Sequence, residues 1–186
     1  MRKKVINNAP LVIGFLLACF FATLLGQVSG GRITKLLFMT YRSPLRNPLT
    51  YVRMFTHVLG HDGFGHFAGN ATVLLLLGPM LEEKYKAAAL LRVILITAFV
   101  TAVIQAVFFP GSALLGASGV VFAFIIMASF TGFRKGEIPV TFLLVAAVYL
   151  GQQIFEGLTV HENISNMAHI VGGLVGALSG YRLSVR

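Results

Sequence analysis

Six apolar runs constrain this chain more than anything else in its sequence. A helix needs about 20 predominantly apolar residues to cross the hydrocarbon core of a bilayer. Candidate spans lie at about 9–28, 66–81, 87–109, 118–133, 138–155 and 167–185, the fourth of them short. Only 11% of the residues are charged and 56% are hydrophobic, against about 25% charged in a soluble domain. Too little polar surface remains for a soluble single-core fold, and the same balance excludes a disordered chain. The expected fold class is therefore an all-α membrane protein of six transmembrane helices. It forms one bundle over residues 1–186 with a long first loop at 29–65 and no internal repeat. Cys19 is the only cysteine, so no intrachain disulfide framework exists.

The first span also has the outline of a signal peptide, because Arg2-Lys3-Lys4 precedes it. Its apolar run is longer than the usual hydrophobic region and no A-x-A-like cleavage site follows. A retained helix is the expectation.

Charge placement sets the expected orientation. The net charge of +9 raises nucleic acid as a partner for a soluble protein; in a membrane protein, Lys and Arg mark the cytoplasmic side. Arg2, Lys3 and Lys4 put the N-terminus inside. Six crossings return Arg182 and Arg186 there, with Lys84, Lys86, Arg134 and Lys135 between spans on the same side. Glu156 and Glu162 fall in an outer loop. The first loop breaks the rule, since it should lie outside yet holds Arg32, Lys35, Arg42, Arg46 and Arg53. An amphipathic segment in the interface explains such a mixture, and Pro44 and Pro48 rule out one continuous helix.

Polar residues inside spans are costly and often functional. His66 and Asn70 open span two at i and i+4, on one helix face. Ser118 opens span four within Gly116-Ala117-Ser118-Gly119, and His169 sits just inside span six. Each has a bland reading: a Ser among small residues packs or bonds back to the preceding turn, a lone His lines a cavity, and His66 with Asn70 can be merely interfacial. Together they are more informative. Spans two, four and six all enter the bilayer from outside, so the four polar groups lie at similar depth under one leaflet.

Those residue types suit acyl transfer. A serine hydroxyl needs a base to remove its proton, and a neutral His169 can take it. His66, the Asn70 amide and the Ser118 backbone N–H are suitable oxyanion donors. No Asp or Glu lies mid-span, so a Ser–His dyad is expected rather than a triad. Gly172, Gly173, Gly176 and Gly180 follow His169, and Gly119 and Ala123 follow Ser118. Small faces of this kind let membrane helices approach closely, though they also serve packing alone. A soluble-type nucleophile elbow is disfavoured, because residue 120 is Val where G-x-S-x-G needs Gly. His57, His61 and His66 beside Asp62 lack recognised metal-ligand spacing in a glycine-rich turn, so no metal is expected. Glu82 and Glu83 beside Lys84 and Lys86 read as a solvated cytoplasmic corner, with a helix cap or an anchor for the loop as a second role for Glu82.

In order along the chain, several fragments resemble the rhomboid family of intramembrane serine proteases. They are Arg53-Met54-Phe55-Thr56, His61, the H-x-x-x-N of His66 and Asn70, Gly78 with Glu82, the G-x-S-G of Gly116 to Gly119, and the A-H-x-x-G-x-x-x-G from Ala168 to Gly176. The resemblance runs from about residue 53 to 176. It implies a rhomboid-like bundle with Ser118 as nucleophile, His169 as general base, and His66 and Asn70 at the oxyanion. Gly116, Gly119, Phe122 and Gly172 support them. It further implies membrane-anchored protein substrates cut in or near their transmembrane segments, no cofactor, and span five as a movable gate. Two positions depart from the family's habit: Phe122 stands where a Tyr is common, and Val52 where a Trp precedes Arg53. A non-catalytic rhomboid-like binder of membrane helices is the alternative, and a small transporter or channel a more distant one. The compact core suggests a prokaryotic plasma membrane.

Overall fold

The computed structural model describes residues 6–132, 137, 138, 140–159 and 163–184. Helices fill most of it: α1 (Pro10–Val28), α2 (Arg32–Leu37), α3 (Pro48–Thr56), α4 (Phe64–Tyr85), α5 (Ala87–Phe108), α6 (Ser118–Ser129), α7 (Val140–Thr159) and α8 (Asn163–Ser184). By length and composition, α1, α4 and α5 can cross a membrane. The six expected spans each coincide with a helix, with shifted ends. The second extends to 64–85 and the sixth starts earlier, at Asn163. The fourth is shortened to 12 residues, because Phe130 and Thr131 turn back onto the Met127 and Ala128 carbonyls. The fifth begins at Val140, after Ile138, and runs on to Thr159, so helix absorbs much of the expected loop around Glu156. Arg2, Lys3, Lys4, Arg134, Lys135, Glu162 and Arg186 lie outside the described residues.

The first loop is structured. Pro48 stands at the start of α3, where its missing N–H is no loss, and the Asn47 side chain accepts from the Leu49 N–H at 3.0 Å. Arg53 is 2% exposed and so is no interfacial anchor. Its Nη1 donates to the Tyr41 hydroxyl at 3.0 Å and its Nη2 to Ser43 Oγ at 2.8 Å. Its guanidinium also lies 4.4 Å from the centroid of the Tyr41 ring. This charge is held by neutral acceptors and a π-face, a role suited to the planar, weakly hydrated guanidinium. Two short strands correct the purely helical expectation. β1 (Thr40–Tyr41) pairs antiparallel with β2 (Ala113–Leu114), Thr40 opposite Leu114. The pair ties the first loop to the segment just ahead of Ser118.

Glu82 is not solvated. It is 6% exposed, and its two carboxylate oxygens accept from Leu11 N at 2.9 Å and Val12 N at 3.0 Å. A carboxylate thus satisfies orphan donors at the positive end of α1. Nearby, a Cβ on Gly78 would stand 2.6 Å from Val12 Cγ1, so α1 and α4 touch. The core between the helices includes Val12, Leu74, Leu81, Leu90, Phe124 and Met127.

Candidate active site

Hydrogen bonds at one end of the bundle establish that α4, α6 and α8 run the same way. Lys84 Nζ donates to the Phe130 carbonyl at 3.3 Å. Tyr85 Oη lies 3.0 Å from Ser184 Oγ, which donates to the same carbonyl at 3.3 Å. The C-terminal ends of all three helices therefore meet. At a rise of 1.5 Å per residue, Asn70 lies about 21 Å, Ser118 about 18 Å and His169 about 22 Å from that shared end. By the same count His66 lies about 27 Å from it, so Asn70, Ser118 and His169 fall at a similar level and His66 about one turn beyond Asn70.

Lateral contact comes from α6 and α8, the most extensively packed pair of helices. A Cβ on Gly172 would meet the Gly119 backbone, with Gly119 Cα at 3.0 Å. One on Gly119 would stand 3.2 Å from the Ala168 carbonyl oxygen, and one on Gly176 would be 2.8 Å from Ala123 Cα. No side chain fits between these backbones. Ser118 adjoins Gly119 and His169 adjoins Ala168, so both flank one contact. Phe122, one turn after Ser118, lies with its ring centroid 4.2 Å from that of His169. An aromatic face so close limits how the imidazole can turn. Ser118 and His169 are both partly buried.

The loop before Ser118 is shaped by Gly116, whose φ of +119° few other residues adopt. A Cβ there would stand 2.9 Å from His66 Cε1, so His66 lies against this turn. The Gly116 N–H donates to the His57 carbonyl at 3.0 Å. Asn70 is buried, and its Nδ2 has no hydrogen-bond partner among the described residues. A buried amide without a partner is uncommon, and this one is a donor on the His66 face of α4.

Two further histidines brace the loop. His57 is 1% exposed. Its Nδ1 lies 3.1 Å from the Arg53 carbonyl and its Nε2 3.2 Å from Thr101 Oγ1 on α5. A carbonyl only accepts, so Nδ1 carries the proton. Burial pushes the His57 pKa down to about 4. His61 packs edge-on against His66, with ring centroids 4.9 Å apart. Burial first, and then the His66 charge, lower its pKa to about 4. Both rings are therefore neutral near pH 7. Their bracing roles have no sequence signal beyond the clustering of three histidines beside Asp62. Among the described residues, no three His, Cys, Asp or Glu side chains converge.

A cavity of about 660 Å³ opens at this end. It is lined by Asp62, His66, Ser112, Leu115, Ile164 and Ser165, among others. Leu115 lies just ahead of Gly116, and Ser165 is one turn before His169. None of this lining except His66 was singled out from the sequence as part of a site.

Comparison with known proteins points one way. The profile of the Rhomboid domain matches residues 48–186. Rhomboid-related protein 2 of Mus musculus is 30% identical over 158 residues, covering 74% of this chain and 52% of that protein. RHOMBOID-like protein 4 of Arabidopsis thaliana is 29% identical over 133 residues, 68% of this chain and 32% of that protein. Rhomboid-related protein 1 of Caenorhabditis elegans is 26% identical over 138 residues, 69% and 39% respectively. The chain thus spans about half, or less, of the length of these curated relatives.

Proposed function

The chain belongs to the rhomboid family, and from that premise we propose that it is an intramembrane serine endopeptidase acting on membrane-anchored proteins. The observation that carries this reading is the α6–α8 contact at Gly119 and Gly172, flanked by Ser118 and His169 with Phe122 against the imidazole. Ser118 Oγ attacks the scissile carbonyl carbon while a neutral His169 takes the hydroxyl proton. The tetrahedral oxyanion receives hydrogen bonds from the Asn70 amide, His66 and the Ser118 backbone N–H. Collapse expels the amine, which His169 protonates. Water then attacks the acyl-serine, giving a proton to His169, and collapse releases the acid while His169 returns that proton to Ser118 Oγ. No metal or cofactor takes part in this scheme.

The same reading makes all six long helices one membrane-embedded domain with both termini on the cytoplasmic side. The site then lies under the opposite leaflet, and α7 serves as the gate. The relatives come from two animals and a plant. They lend no support to the prokaryotic membrane expected from the compact core.

The test is covalent labelling with a serine-directed phosphonate, alongside cleavage of a co-expressed single-span substrate. Wild type should label at Ser118 and cleave; Ser118→Ala and His169→Ala should do neither while remaining folded. Cleavage by Ser118→Ala at the wild-type rate refutes the mechanism. Substrate binding by a wild-type protein that is neither labelled nor active indicates the non-catalytic helix binder instead.

A further inference from the structure

Among the described residues, the cavity beside the candidate dyad is lined by one carboxylate. Among the described residues that line it, Asp62 is the only acidic side chain and no Lys or Arg is present, the rest being apolar, hydroxyl-bearing or the His66 imidazole. Its volume of about 660 Å³ is ample for several side chains of an extended peptide. Asp62 is exposed, and it makes no hydrogen bond or ion pair among the described residues. It is not the cap of α4, whose N-cap position is held by Gly63 with no side-chain cap bond. Its one described electrostatic neighbour is His66.

The setting makes this carboxylate conspicuous. The chain has 15 Lys and Arg against 6 Asp and Glu, so its long-range field favours acidic partners. At the mouth of the site that preference is locally reversed. Leu115 and Ser165 bring the cavity to within a few residues of Ser118 and His169, so a peptide presented to Ser118 crosses it close to its scissile bond.

We propose that Asp62 makes this vestibule selective for substrates carrying a Lys or Arg side chain in the segment that lies across it. The proposal rests on the protease reading above and names the substrate class for that site. The ammonium or guanidinium pairs with the Asp62 carboxylate at a partly exposed position, worth about fivefold in kcat/KM. A Glu at the same substrate position meets repulsion, so the Lys-to-Glu ratio reaches about tenfold or more. Salt weakens the preference, because the pair is within reach of solvent.

The experiment uses the full chain in liposomes and a single-span substrate series in which one Lys, or one Glu, is moved through the residues flanking the scissile bond. The readout is the Lys-to-Glu ratio of kcat/KM within each protein, so a uniform loss of activity cancels. Wild type should prefer Lys at one or two adjacent positions. Asp62→Asn should bring the ratio there close to one, and Asp62→Lys should invert it. If Asp62 serves only to support His66, its variants slow all substrates equally and the ratio is unchanged, which overturns the proposal. A flat wild-type ratio at every position overturns it as well. Phosphonate labelling at Ser118 separates the two levels. Labelled, cleaving protein without charge selectivity leaves the protease reading standing and removes the selectivity. Wild type that neither labels nor cleaves removes both.

Discussion

One added methyl group at Gly172 measures how closely the candidate dyad depends on helix contact. In Gly172→Ala the new Cβ would stand 3.0 Å from Gly119 Cα and 2.8 Å from the Gly119 carbonyl carbon. Carbon atoms in unstrained contact stay about 3.5–4.0 Å apart, so α6 and α8 must part by roughly 1 Å. Both obstructing atoms are backbone and cannot rotate away. Overpacking of this kind costs about 1–3 kcal/mol, and a misplacement of about 1 Å at a reacting centre costs about 10²-fold in rate. The expected result is a lower midpoint of thermal unfolding in detergent and cleavage reduced by about two orders of magnitude. Phosphonate labelling should slow in parallel. Gly69→Ala is the control: a Cβ there meets nothing within 4 Å, and helix propensity favours Ala by about 1 kcal/mol. Gly69→Ala should unfold no earlier than wild type. A Gly172→Ala protein with wild-type rate and midpoint would refute the claim that backbone contact aligns Ser118 with His169.

Three other outcomes follow from the geometry. Burial lowers His57 and His61 to about 4, below the ordinary value near 6.5. Between those pH values the unfolded chain therefore binds more protons, and stability falls as pH drops from about 6.5 towards 4. At pH 5 each group removes about 2 kcal/mol, and chemical unfolding at pH 7 and pH 5 should show a loss that His57→Gln reduces. Glu82→Ala leaves the Leu11 and Val12 N–H groups without their acceptors and should cost about 2–4 kcal/mol. Glu82→Gln, able to accept but uncharged, should lose less when the two are compared by thermal unfolding. Asn70→Ala should lower kcat by about 10²–10³ with little change in KM. A wild-type kcat would mean that the buried amide serves another purpose.

Much of this architecture was legible along the chain because crossing a membrane is a local property. Twenty or so apolar residues specify a span wherever their neighbours lie, so the long helices fall where the apolar runs are. Depth was legible for a related reason. A fixed rise per residue converts the positions of Asn70, Ser118 and His169 within each run into a similar level, with His66 one turn beyond Asn70. Helix ends were less legible. The fourth run continues through Phe130, but Phe130 N–H and Thr131 N–H close a turn there. The Asn47-Pro48 start of α3 carries its own cap signal, whereas β1 and β2 are two residues each, too short to show alternation.

Composition and spacing, by themselves, determined that this is a helical membrane chain and which four polar residues are worth examining; the ordered motifs, not the composition, carried the resemblance to the rhomboid family. Only the tertiary structure decided who touches whom. It set Glu82 on the N-terminus of α1, 71 positions away in sequence, where the residues beside it had suggested solvent. It buried Arg53 against Tyr41, paired Thr40 with Leu114, and made Asp62 the one carboxylate among the described residues in the mouth of the candidate site. The physical reason is that hydrophobicity fixes where a segment sits between water and lipid, a choice made residue by residue. Lateral neighbours follow instead from shape: backbones close wherever glycine lets them, and each closure brings together polar groups that are far apart along the chain.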